Sequence, residues 1–281
     1  MGWLIAAVAA MLIGISKTGV PGLGILAVVL FATVIPEGKS LGVVLPILMI
    51  ADLFAVAYFR RRAHWPSLIR LVPATLIGIL IGYMTLSLIP ATYINRLIGV
   101  MVLGLLVMQV LRETGRLGGE HLPNRWWFPA AMGLLAGFAT MVANAAGPIT
   151  ILYLVAMRLD KMRFMGTAAW FYLIFNWVKF PFLAGWIRLP FFEPRAFITA
   201  ESLLFDAKLI PAIVVGVALG IFALKRIPQK TFQRIVLALA ALQLAILGGS
   251  RPPAKSPETA PTHQEQADPS PSSPDHTVHK E

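Results

Sequence analysis

Three places in the 281-residue chain combine reactive groups with a backbone that cannot stay helical or a span that should not hold charge. The first is the run Gly14-Ile15-Ser16-Lys17-Thr18-Gly19-Val20-Pro21-Gly22-Leu23-Gly24. Proline suits the first turn of a helix and glycine lets the chain bend. A helix starting near Pro21 therefore points unpaired amide N–H groups, and the positive end of its dipole, beyond the turn. Such a terminus favours an anion. Ser16, Lys17 and Thr18 add the hydroxyls and ammonium that an oxyanion requires, with Gly19, Pro21 and Gly22 supplying backbone. The competing reading is a tight turn with a snorkelling lysine.

The second place, Val142-Ala143-Asn144-Ala145-Ala146-Gly147-Pro148, again places glycine and proline at a helix start and offers the Asn144 amide and the Gly147 backbone in place of a charge. Close packing of small residues is the alternative there. The third is a set inside apolar spans: Asp52 in one, Asn176 with Lys179 in another. A charge at membrane depth costs roughly 2.5–3.5 kcal/mol even on the lenient insertion scale, so each of these needs a partner or a task. Lys17 and Lys179 against Asp52 leave one positive charge in excess, which suits an anionic substrate. Asp52 itself reads equally as a proton or cation site or as the neutralising partner of Lys17. Lys179 lies near enough to a predicted interface to snorkel.

Other chemistries lack their residues. Cysteine is absent, which removes thiolate catalysis and Cys-based metal sites. No His-x-x-x-His or Glu-x-x-His spacing occurs and the few acids are scattered, so neither an enzyme, a metal centre nor a cofactor is expected. His64 and His121 lie in basic loops; three of the five histidines, His263, His276 and His279, fall in a C-terminal segment whose lack of fixed geometry favours solvation over metal binding.

The elements that must position these groups are membrane helices. Hydrophobic residues make up 57% of the chain and charged ones 13%, with a mean hydropathy of +0.75, and the apolar runs approach the roughly 20 residues needed to span a bilayer. The net charge of +11 sits in short clusters between those runs, a topology signal and not a nucleic-acid surface. The N-terminus has no cationic leader region and is expected to remain as a helix. From Arg251 onward, seven prolines in 31 residues and no aromatic residue describe a disordered polar tail.

The chain also repeats. An offset of 138 aligns Pro73 with Pro211, Gly78 with Gly216, Gly82 with Gly220, Pro90 with Pro228 and Arg96 with Arg234. An offset of 124 aligns Gly42 with Gly166 and Asp52 with Asn176, and 123 aligns Gly14 with Gly137 and Gly24 with Gly147. Each half holds five apolar pieces, at 2–16, 22–35, 40–59, 67–89 and 92–111, then 127–143, 147–157, 164–187, 206–224 and 229–248, with about 14 extra residues in the second half near 184–205. The first two pieces of each half are too short to span and read as a hairpin entering and leaving on one side, since 15 residues give only about 22 Å of helix. An odd number of crossings per half then inverts the second half.

The expected domains are a first repeat at 1–111, a cytoplasmic linker at 112–126, a second repeat at 127–248 and the tail at 249–281. Loop charge gives the orientation. Arg60, Arg61, Arg62, Arg70, Arg112, Arg116, Arg125, Arg158, Lys161, Arg163, Lys225, Arg226 and Lys230 form one set of thirteen, against Lys39, Arg96, Arg188, Arg195 and Lys208 on the other face. Loops 60–70 and 112–125 are thus expected inside the cell membrane and the tail outside. Trp65, Trp126, Trp127 and Trp186 read as interface anchors.

Gly14-Ile-Ser-Lys-Thr-Gly-Val-Pro-Gly22, Asn144-Ala-Ala-Gly-Pro148 and Phe175-Asn-Trp-Val-Lys-Phe-Pro181 together resemble the TauE/SafE family of membrane permeases over about residues 2–248. The resemblance implies transport, generally outward, of sulfite or small organosulfonates. The expectation is a secondary transporter holding a small anion between the hairpin tips at the bilayer midplane, in contact with membrane lipid. A homo-oligomer is compatible with it. The alternative is a membrane scaffold that moves nothing, which a dry glycine-packed seam in place of a polar cavity would favour.

Overall fold

The structure is a computed structural model that describes residues 2–35, 40–88, 126–187, 197–236 and 238–239. The expected helix 92–111, nearly all of the 112–126 linker, Lys39, Arg96, Arg188, Arg195, His121, most of 237–248 and the tail lie outside the described residues. The chain divides into Met1–Ser250 and Arg251–Glu281, and every described residue belongs to the first of these units.

Among the described residues the regular structure is entirely helical: α1 Gly2–Thr18, α2 Gly24–Val34, α3 Ser40–Phe59, α4 Trp65–Leu88, α5 Trp127–Ala143, α6 Gly147–Ala156, α7 Lys161–Leu183 and α8 Ala200–Arg226. Residues 229–236 are helical as well. Stretches within α3, α4 and α8 (Leu41–Phe59, Trp65–Leu86 and Ala200–Arg226) are long and apolar enough to cross a membrane.

Local chemistry explains where helices begin and end. α2 begins at Gly24, not near Pro21 as the sequence reading expected. Gly19 and Val20 both donate their N–H back to the Ile15 carbonyl, and Gly22 takes φ 107°, which halts helical propagation until the turn is complete. α7 begins at Lys161 because Asp160 accepts from the N–H groups of Met162 and Arg163. It ends at Leu183, short of the expected 187. Trp186 donates to the Pro181 carbonyl and Gly185 to that of Phe182, with Gly185 at φ 74°, the glycine-closed helix end. α8 starts at Ala200, earlier than expected, on a capping box between Thr199 and Ser202.

The closest packing joins the hairpins to long helices far away in sequence. α4 packs most extensively on α5, α1 on α8, and α3 on α7. Both hairpin seams are backbone against backbone. A Cβ on Gly14 would strike the backbone of Ile213 and Val217, one on Gly137 that of Thr75 and Ile79. Gly216 is blocked by Met11, Gly78 by Leu134, Gly220 by Thr18 and Gly82 by Met141. Every one of these contacts maps onto its counterpart under the offsets of 123 and 138. In both seams residue numbers rise together, so each pair runs parallel. α1 ends level with Gly220 and α5 level with Gly82.

Lipid tails are as apolar as the helices they bathe, so such seams rest on close packing, and small residues set how close two backbones come. Gly216→Ala and Gly137→Ala are each expected to lose roughly 1–3 kcal/mol of stability through overpacking. Gly2→Ala, where the new atom would sit 3.6 Å from Val34, should be silent. Thermal unfolding of the purified variants in detergent measures the contrast.

Candidate functional site

The two hairpin turns meet at a cavity of about 100 Å³, roughly three times the liquid-volume share of a water molecule. Ser16, Lys17, Pro21, Gly22 and Gly24 line it from the first turn, and Asn144, Ala146, Gly147 and Pro148 from the second. Tyr172 and Asn176 of α7, Leu48 of α3 and Thr140 of α5 complete the wall. Neither α2 nor α6 has a side-chain cap at its N-terminus. Both starts border the cavity, at Gly24 and at Ala146 to Pro148, so two positive dipole ends meet one small space.

Behind this wall lies a network of buried charge. The Lys17 Nζ is 2.7 Å from Asp52 Oδ1, the carboxylate side chain being fully buried and the lysine side chain 9% exposed. The same ammonium stands 3.8 Å from the centroid of the Tyr172 ring, within cation–π range. Asn176 donates to Asp52 Oδ2 at 2.6 Å. Asp52 and Asn176 are aligned by the offset of 124 and meet here in space. Of the readings open for Asp52, pairing with Lys17 is the one whose geometry is present.

Lys179 does not snorkel: it is 0% exposed. Its ammonium donates to the carbonyl of Thr140 at 3.0 Å, to its hydroxyl at 2.9 Å and to Asn144 Oδ1 at 2.7 Å. It thereby satisfies acceptors at the end of α5, where a cation also complements the negative pole of the helix. Asn144, in the left-handed region at φ 53°, closes that helix. Its amide nitrogen donates to the Leu41 carbonyl at 3.4 Å, tying the second turn to α3.

The predicted site residues thus fall into three groups. Ser16, Lys17, Pro21, Gly22, Asn144, Gly147 and Asn176 line the cavity together. Asp52 and Lys179 stand behind it, reaching it through Lys17, Asn176 and Asn144. Thr18 and Gly19 turn away. The Thr18 hydroxyl is shared between the carbonyls of Gly14 and Val217 at 2.9 and 3.0 Å, and Gly19 presses on Gly220. Thr140 and Tyr172 were not foreseen. Thr140 was signalled by the offset of 123, which makes it the counterpart of Lys17; Tyr172 has no signal that separates it from a lipid-facing aromatic.

Helices of membrane-spanning length, with two interrupted helix pairs whose polar turns enclose a small cavity, define a multi-pass membrane protein. Residues 5–247 match the sulfite exporter TauE/SafE family, and the chain belongs to it. Comparison with curated proteins gives no match, and neither does comparison with solved structures. Family membership carries the class, a membrane transporter of the sulfite or organosulfonate exporter type.

The buried pair makes a stability prediction. Removing one member strands the other charge, which costs roughly 3–5 kcal/mol. Lys17→Met and Asp52→Asn should each unfold at markedly lower temperature in detergent, and the double variant should recover most of the loss. Additive losses in the double variant would show that the two side chains are not coupled.

Proposed function

We propose that this chain is a secondary transporter that exports a small oxyanion such as sulfite or an organosulfonate, bound between the two hairpin tips at the bilayer midplane. The observation that carries this reading is the convergence of two uncapped helix N-termini on one cavity, beside Lys17, which is paired with Asp52, and Lys179, which is bonded to neutral groups. The cavity volume of about 100 Å³ suits a small ion. Ser16 and the Asn144 and Asn176 amides supply neutral donors. Substrate must compete with Asp52 for Lys17, which keeps the empty site from holding an unpaired ammonium.

The architecture read into this proposal is two inverted repeats, 1–111 and 127–248, joined by the cytoplasmic linker 112–126 and followed by the tail. The parallel seams support it. If successive helices alternate in direction, α4 runs opposite to α1, and α5 runs with α4; the two hairpins then enter from opposite sides. With the thirteen-cation face inside the cell membrane, loops 60–70 and 112–125 are cytoplasmic and the tail is outside.

Proteoliposome flux of sulfite, sulfoacetate, taurine and sulfate, with and without proton or sodium gradients, tests the function. Sulfite or a sulfonate should move; no flux of any of the four leaves a scaffold. The Lys17→Met/Asp52→Asn variant removes the ammonium without stranding the acid. A charge-assisted hydrogen bond is worth roughly 1.5–3 kcal/mol, so apparent affinity should fall about tenfold to a hundredfold. Unchanged affinity in this variant removes Lys17 from the anion site.

Orientation is tested with single cysteines in this cysteine-free chain. Arg61 is exposed, and Ser256 lies in the tail. An impermeant thiol reagent on intact cells should label Ser256→Cys and spare Arg61→Cys, and the reverse pattern inverts the topology.

A further inference from the structure

At one end of the bundle, away from the hairpin cavity, a second hollow of about 480 Å³ opens between the α3–α4 connection and the start of α7. Its volume lies in the range of small-molecule sites. Arg61, Arg62, His64, Trp65, Asp160 and Arg163 wall it. We propose that this hollow binds an anionic phospholipid, its phosphate among Arg61, Arg62 and Arg163 and its acyl chains along α4.

Charge is the first argument. Three arginines and one carboxylate line it, and that carboxylate pairs with Arg163, so the excess positive charge is that of Arg61 and Arg62. Asp160 Oδ1 accepts from the N–H groups of Met162 and Arg163, and its Oδ2 lies 3.5 Å from Arg163 Nε. Among the described residues no acid pairs with Arg61 or Arg62. A planar fork of N–H donors is the group that recognises phosphate oxygens in pairs.

Rigidity is the second. Arginines on a mobile loop are ordinarily just solvated, but this loop is held. The His64 N–H donates to Thr167 Oγ1 at 2.8 Å, and Trp170 Nε1 donates to the Arg60 carbonyl at 3.4 Å. Gly166 lets α7 approach until a Cβ there would strike the backbone of Arg62 and Ala63. A backbone fixed in advance lowers the ordering cost of binding.

The third argument selects a lipid over a free anion. Trp65 forms part of the wall, is 44% exposed and stands 5.3 Å from the Trp170 ring, the amphipathic arrangement found at headgroup level. From Trp65 an exposed apolar face continues down α4 through Ile69, Leu76 and Leu80, all within roughly 60° of arc at helical spacing. The cationic hollow and the apolar strip share Trp65, so one molecule with a phosphate head and hydrocarbon tails covers both. Basic pockets between membrane helices hold anionic headgroups in this manner. The proposal depends on the chain being a membrane protein and is independent of what it transports.

Native mass spectrometry of the full chain, delipidated and offered equal amounts of dioleoyl phosphatidylglycerol and dioleoyl phosphatidylcholine, is the test. Wild-type protein should retain phosphatidylglycerol at least tenfold over phosphatidylcholine, on the order of what two or three basic contacts supply. Arg61→Gln/Arg62→Gln/Arg163→Gln should lose that preference, by roughly fivefold per arginine, while the corresponding triple lysine variant, which keeps the charge but not the paired N–H fork, keeps only part of it. Should the triple glutamine variant not run as a monodisperse species, Arg61→Gln alone is read for its expected fivefold loss. Equal retention of the two lipids by wild type, or an unchanged preference in the glutamine variants, overturns the proposal. So does full displacement of phosphatidylglycerol by millimolar glycerol 3-phosphate, which would make the hollow a site for a soluble phosphate.

Discussion

An ammonium group inside a bundle of membrane helices has no water to fall back on, and the arrangement of this protein's centre follows from that constraint. Lys17 ends α1 within reach of Asp52, so the first hairpin is tethered to α3. Asp52 still has an oxygen to satisfy, and Asn176 provides the donor, bringing in α7. Lys179, one turn beyond Asn176 on the same helix, spends its protons on the end of α5. Two lysines and one acid thereby connect both hairpins to the helices that cross behind them. None could be replaced by an apolar residue without leaving another buried polar group unpaired.

Hydrogen bonds fix which groups meet, but steric access decides whether they can. The Lys17 and Asn144 turns reach the centre because α1 and α5 lie directly on the backbones of α8 and α4. The glycines that permit this, Gly14 with Gly216 and Gly78 with Gly137, occupy corresponding places in the two halves. The apolar filling differs between them. α1, α2, one face of α3 and α8 share one cluster that includes Ala9, Ile47 and Ile213, whereas α4 to α7, with the other face of α3, share an aromatic one that includes Phe59, Phe128, Tyr153 and Phe171. A common backbone plan thus carries two unlike cores.

Much of this was legible in the residues. The bounds of α3 and α5 agree with the apolar runs, because charged or turn-forming residues flank them sharply. The two polar turns stood out because glycine and proline, with Lys17 in one and Asn144 in the other, interrupt otherwise continuous hydrophobic sequence. The pairing of Lys17 with Asp52 was one of several open readings, since apolar periodicity does not say which face of α3 meets α1. Thr18 was grouped with Ser16 and Lys17 by adjacency, yet successive residues on a helix point about 100° apart, and Thr18 turns to α8. Lys179 lies near enough to a predicted interface to snorkel, but its ammonium bonds to Thr140 and Asn144 inside the bundle. Ser67, expected in a basic 60–70 loop, lies in the first turn of α4, which starts at Trp65, and is buried, with its hydroxyl against His64 and its carbonyl accepting from Tyr153. Nothing in a single sequence distinguishes such a residue from a solvated one.

The glycine seams also govern mechanics. Where two helices touch through side chains, rotamer changes let one roll or slide against the other in small increments. Where they touch through main-chain atoms there is no such compliance, and a fractional shift drives the Cβ of a neighbouring residue into a carbonyl. α1 with α8, and α4 with α5, therefore each behave as a single thick rod. Any rearrangement of the bundle is then taken up at contacts filled by side chains.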